Sequence, residues 1–460
     1  MSSRHLIYSI VIRLAIIWTA AAFIYSCSSF PYDDDFIDWP ANEREHLPTY
    51  PERAGIEQKK WKNVFIVYSM GYNNLSQDLN LDIDEMLGGE VPYFNSEDAV
   101  LILNQSIQGF SYRIETSPVI YQASRNADGT VLRDTLVTYP KGTVAATRET
   151  LEDALSYIRS AFPADHYGLL MSSHATGWAP EMYCYSPPDK SSNQIWLKQG
   201  WKHTVPEKYT DERPLTRSVG AHFNGGSFDM DEIELADLAD AIPFHLDYLL
   251  FDCCFMGGVE VAYELKDKCD VICFSQTEIL AGGMDYKNLL SHLFEGEEPD
   301  IASVALDYYN MYAKQSSTNM RSATISVVDC RLIDRLVPVV SRNADLIRDL
   351  SSSNEKVAVQ QYFQSKYTKE HGIFYDFEDI LIKAGTPEAD LDELKRILEE
   401  CLICRYSTET FLTDLVIRHH SGLSMYLQDW DRKILNKHYK TLKWNQATGL
   451  ITDIELNTDK

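Results

Sequence analysis

Two short stretches of the chain carry side chains able to do covalent chemistry. "MSSHATGW" (171–178) sets His174 at the end of an apolar run and follows it with a Gly-containing turn, and "FDCCFMGG" (251–258) ends a second apolar run on Cys253 and Cys254. A thiol and an imidazole are the minimal set for acyl transfer: the imidazole favours the thiolate, the sulfur attacks a carbonyl, and the imidazolium then protonates the leaving amine. Backbone N–H groups of the turn Ala175, Thr176, Gly177, and of the helix-like segment after Cys254, are the expected oxyanion donors. A strand-end histidine is also common as a structural residue, and a buried cysteine as a small apolar one, so spacing alone leaves both readings open.

The elements that must position these residues can be read from hydrophobic patterning. "NVFIVYSM" (63–70), "DAVLILNQSI" (98–107), "YGLLMSSH" (167–174), "LDYLLFDC" (246–253) and "DVICFSQ" (270–276) are continuous apolar runs of the kind that form strands buried on both faces. Between them, residues 147–162, 231–242 and 256–268 carry helical patterns, and a polar turn at 125–131 predicts a hairpin on one edge. The alternation predicts an α/β fold, a mainly parallel sheet flanked by helices, spanning 61–287. Residues 288–460 read as a helix-rich region packed on that core, interrupted by strand-like "SATISVVD" (322–329) and "SGLSMYL" (421–427). In such sheets functional groups gather at the carboxyl ends of the strands, which is where His174 and the cysteine pair fall.

Composition limits the partners. With 460 residues, 45% of them hydrophobic, the chain can bury a full core; 42 Lys and Arg against 68 Asp and Glu give a net charge of -26, which argues against nucleic acid and anionic membrane surfaces and would draw in a cationic substrate, solubility being the plainer reading of such charge. The N-terminal "RHLIYSIVIRLAIIWTAAAFIYSC" combines basic residues, an apolar run and a terminal Cys27, the pattern of an export signal over residues 1–26. Ending on cysteine resembles a bacterial lipoprotein, with Cys27 as the lipidated residue. A membrane-spanning anchor is the rival, since the run is nearly long enough to cross about 30 Å of hydrocarbon. Asp33 to Asp35 resemble the surface-export tag of some Gram-negative lipoproteins, and residues 27–60 read as a tether. The expected location is therefore the bacterial envelope, anchored to the outer membrane. Of nine cysteines, Cys401 and Cys404 form the lone CxxC; with no second pair or nearby histidine they read as buried helix residues rather than a zinc site.

"PADHYGLLMSSHATGW" and "LDYLLFDCCFMGGVEVAYELKD" together resemble the clostripain-like cysteine peptidases, of the clan that includes caspases, gingipains and legumains. "WKNVFIVYSMGYNNL", "VICFSQTEILAGG" and "SGLSMYL" agree with that family in the same order, from about residue 61 to 450. The resemblance implies a caspase-like fold with Cys254 as nucleophile, Cys253 standing where the family has alanine, and His174 as general base. Alternation along a strand agrees, pointing Asp252 and Cys254 to one side and Cys253 to the other. The family's His-Gly-Gly loop is here His-Ala-Thr-Gly, which restricts the turn.

The resemblance further implies cleavage after Arg or Lys, with Asp252 matching a specificity position and Glu278 and Asp285 as further candidates in the following loop. A guanidinium is well matched by a carboxylate, although Asp252 can equally be read as a cap for the next helix. Family members cut themselves in the loop corresponding to 186–220, where Lys190, Lys198, Lys202, Lys208, Arg213 and Arg217 are candidates; an uncut surface loop is the alternative. Some members depend on calcium, while the chemistry itself requires no cofactor. The competing function is a non-catalytic surface lipoprotein that uses the same fold to bind peptides or glycans.

Overall fold

The computed structural model describes residues 59–73, 75–107, 116–180, 219–223, 230–363, 372–412 and 415–452. The first strand, β1 (Trp61–Gly71), is followed by α1 (Ser76–Leu87), β2 (Asp98–Ser106), the hairpin β3 (Val119–Arg125) and β4 (Val131–Thr138), α2 (Arg148–Ala161) and β5 (Ala164–Ser172). A small antiparallel hairpin, β6 (Val219–Phe223) and β7 (Met230–Ile233), precedes α3 (Leu235–Ala241) and β8 (Leu246–Asp252). Next come α4 (Val259–Leu265), β9 (Cys269–Phe274), α5 (Tyr286–Phe294), α6 (Ile301–Ala313) and β10 (Thr324–Asp329).

Nine strands form one sheet. Its centre runs β9, β8, β5, β1, β2, all parallel. The β3/β4 hairpin closes one edge antiparallel, as the turn at 125–131 predicts. At the other edge β10 and a strand at Leu402–Ser407 continue the sheet antiparallel, so the C-terminal part extends the sheet as well as packing on it. Parallel strands buried on both faces need apolar residues at successive positions, and β1 supplies them: Val64, Ile66 and Tyr68 face one core while Phe65 and Val67 face the other. The first core is filled from α2, α3 and α4, the second from α1, α5 and α6. This is a three-layer α/β/α arrangement.

Four expectations are corrected. Strand β5 ends at Ser172, so His174 lies in a loop two residues beyond it. The helix after the cysteines begins at Val259 rather than 256, because Cys253–Gly258 form an irregular segment whose Phe255 and Gly257 N–H groups bond to the Thr277 and Ser275 carbonyls. The pattern at 231–242 opens as strand β7 and becomes helical only at Leu235. The helix from Glu388 stops at Cys401, leaving Cys404 half-buried on the edge strand rather than buried in a helix; the β-branched and aromatic residues of "LICRYS" suit that strand.

Candidate active site

Three parallel neighbours, β1, β5 and β8, end at the same rim of the sheet. Ser172 and Asp252 stand opposite each other in register, so His174 and Cys254 are each two residues beyond a paired strand end. Asn73, just past β1, ties this rim together: its side-chain amide donates to the Met70 carbonyl at 2.9 Å and to Ser173 Oγ at 3.3 Å, and Ser173 Oγ donates to the same carbonyl at 2.8 Å. The residue before His174 is thereby held to the central strand.

The two functional loops then meet backbone to backbone. Gly177 has φ +61°, and a Cβ there would lie 2.4 Å from the Phe255 carbonyl oxygen, so only glycine permits this approach. Phe255 itself has φ +60°, an uncommon conformation for a bulky residue and a form of stored strain. Its ring stacks on Phe374 at 4.7 Å and meets Phe363 edge-on at 5.5 Å, which holds the conformation in place. Beyond Gly177, Trp178 is wholly buried against Tyr426 and Tyr439.

Cys254 and His174 line one cavity. They are only 8% and 6% exposed, so the thiol and the imidazole sit in a largely desolvated cleft. The Ile279 N–H donates to Cys254 Sγ at 3.4 Å and fixes the position of the sulfur. Cys253 borders the same cavity, but its thiol donates to the Met171 carbonyl at 3.4 Å on the neighbouring strand. Burial, then the charge of Asp252, raises the Cys253 thiol well above the ordinary cysteine range, which makes it a poor nucleophile. Ala175, Thr176 and Gly177 are buried, and the turn Thr176–Ala179 is closed by the Ala179 N–H on the Thr176 carbonyl at 3.1 Å. Helix α4 starts five residues after Cys254, beyond the irregular segment.

The remaining polar lining is acidic. Asp252 lies in the cavity, with Tyr286 Oη donating to its Oδ2 at 2.6 Å and Ser172 Oγ at 3.3 Å. Burial outweighs these bonds and pushes its carboxyl up to about 6. Two carboxylates absent from the sequence-derived candidates, Asp78 and Asp82 of α1, line the same space. Their i, i+4 spacing puts like charges on one helix face, an unfavourable pairing that was the available signal. Asp285 instead caps α5, accepting from the Asn288 N–H, and neither it nor Glu278 lines the cavity. Leu75, Leu79 and Leu280 complete an apolar wall.

Both sequence and fold are similar to those of known proteins. The model of the clostripain family, Peptidase C11, matches residues 201–412, a span that contains both cysteines of the doublet. Over that span the chain is similar to the clostripain-like cysteine peptidases. Its fold is shared with solved C11 proteases. An inactive zymogen C11 protease from Parabacteroides distasonis is 24% identical with a TM-score of 0.63, over 85% of this chain and 99% of that one. A secreted C11 cysteine protease from Bacteroides thetaiotaomicron, in complex with an irreversible peptide inhibitor, is 20% identical with a TM-score of 0.64, over 84% and 99%. A structure of the secreted enzyme "iotapain" from the same organism is 21% identical with a TM-score of 0.64, over 85% and 99%. No curated protein matches the chain.

Several residues singled out in the sequence lie outside the described residues: Cys27 and the export segment, and Lys190, Lys198, Lys202, Lys208, Arg213 and Arg217 of the proposed cleavage loop. Among the described residues, no helix is long and apolar enough to cross a membrane, and no group of three or more His, Cys, Asp or Glu side chains is placed to hold a metal ion.

Proposed function

We propose that the protein is an exported, lipid-anchored cysteine endopeptidase of the clostripain type that cleaves after Arg or Lys with Cys254 as nucleophile and His174 as general acid and base. The observation that carries this reading is a single cavity in which a thiol and an imidazole sit with three carboxylates, Asp78, Asp82 and Asp252. The carboxylates suit a cationic side chain, and the apolar wall suits its methylene stem. With such a side chain seated, the Cys254 thiolate attacks the adjoining carbonyl carbon. The oxyanion is held by N–H groups of the Ala175–Gly177 turn and of Cys254 itself. Collapse of the tetrahedral intermediate breaks the C–N bond, the leaving amine taking its proton from His174. Water, deprotonated by His174, then hydrolyses the thioester. No cofactor enters these steps.

Intact-mass measurement after treatment with an arginyl chloromethylketone tests the reading. One adduct on the wild type and none on Cys254→Ala is expected, together with turnover of Arg and Lys peptides. No adduct and no turnover would instead favour the non-catalytic binder. The same spectra follow self-cleavage: a wild type in two pieces divided within 186–220, and a whole Cys254→Ala, are expected. Anchoring through Cys27 in the outer membrane is supported by the sequence pattern alone; radiolabelled palmitate should enter the wild type and not Cys27→Ala.

A further inference from the structure

We infer that Asp82 is a second specificity carboxylate, which grips the cationic side chain of the substrate together with Asp252. The inference rests on the Arg/Lys reading above. Asp82 is on α1 and lines the same cavity as Asp252 and the cysteines. It is 6% exposed, and its Oδ2 is buried without a hydrogen-bond partner. A buried carboxyl oxygen left unbonded is costly to a fold. The cost is explained if a ligand supplies that partner.

Geometry aims both acids at one point. A methyl group built on Gly283, which also lines the cavity, would lie 2.8 Å from Asp252 Oδ2 and 3.2 Å from Asp82 Oδ2. The absence of a side chain at 283 keeps the space between the two carboxylates clear. Within the pair the division of labour is unequal: Asp252 Oδ2 already accepts from Tyr286 and Ser172, whereas Asp82 Oδ2 has its acceptor sites open. A guanidinium or ammonium entering past Leu75, Leu79 and Leu280 would meet the free oxygen of Asp82 and complete its bonding. The carboxyl of Asp82 is pushed up to about 9, by burial first and then by the charges of Asp252, Asp78 and Glu85. A bound cation reverses that balance by supplying the countercharge.

The test compares wild type and Asp82→Asn on peptides identical except at the residue before the scissile bond, which is Arg, Lys, citrulline or norleucine. Loss of one charge-assisted hydrogen bond should lower the Arg-to-citrulline and Lys-to-norleucine ratios of kcat/KM by about 10- to 100-fold. Iodoacetamide titration of Cys254 counts the intact sites. Asp82→Ser, which removes the carboxylate and leaves room for water, supplies the same measurement if the amide disturbs folding. A wild type that prefers Arg and Lys, with variants that keep the full preference, overturns the role of Asp82 alone. A wild type with no preference for Arg or Lys overturns the underlying specificity reading.

Discussion

Tyr286, the first residue of α5, donates a 2.6 Å hydrogen bond from its hydroxyl to Oδ2 of Asp252, the last residue of β8. Both groups are buried, so the bond orients the carboxylate within the cavity rather than decorating a surface. Tyr286→Phe should lower kcat/KM on Arg and Lys peptides by about 3- to 10-fold, the worth of one hydrogen bond. Iodoacetamide should alkylate Cys254 as before. Steady-state kinetics and adduct counting check both halves.

Asp82 should make stability fall as pH rises. Its folded carboxyl, at about 9, lies above the ordinary carboxylate value of about 4, so the folded state holds a proton that the unfolded state releases. The stabilising contribution is complete below about pH 4 and is lost progressively towards pH 9. Asp252, raised to about 6, adds to the lower part of the same slope. Asp82→Asn removes the first contribution, so it should melt higher than the wild type at pH 8 and show a flatter dependence between pH 5 and 9. Thermal denaturation across that range measures it.

Gly177→Ala should damage both loops at once. The added Cβ meets the Phe255 carbonyl oxygen at 2.4 Å, and alanine disfavours φ +61°. A loss of about 1–3 kcal/mol in stability is expected, with a larger fall in kcat than in binding because His174 and Cys254 move relative to each other. Denaturant unfolding and separate kcat and KM values test this.

Asn73 acts one step away from the chemistry, by holding Ser173 beside His174. Asn73→Ala should lower kcat by about 10-fold with KM little changed, through misplacement of the imidazole. An equal rise in KM would count against a positioning role.

The neighbouring thiols should separate cleanly. Cys253→Ala removes a buried thiol bonded to the Met171 carbonyl and should keep most of the activity, whereas Cys254→Ala should abolish it. Peptide mapping after brief iodoacetamide treatment should find the label on Cys254.

What the sequence determined by itself is what depends on local pattern. Continuous apolar runs specify strands buried on both faces, and their alternation with helical periods specifies the α/β layering, so the two strands that lead to His174 and Cys254 are legible in the sequence, although both residues lie just beyond the strand ends. The boundary errors arose where periodicity is ambiguous: Cys253–Gly258 carries a helical spacing of apolar residues but is pinned by hydrogen bonds to Ser275 and Thr277, partners about 20 residues away. "LICRYS" continues a helical pattern until pairing with β10 draws it into the sheet.

Only the tertiary structure decided which acids share the cavity. Asp285 sits in the expected loop but spends its carboxylate on a helix cap, while Asp82 arrives from α1, 170 positions before Asp252 in the chain. Nothing in local sequence records that approach. It exists because β1 and β8 run parallel through the centre of one sheet, which brings the segments that follow them to the same rim.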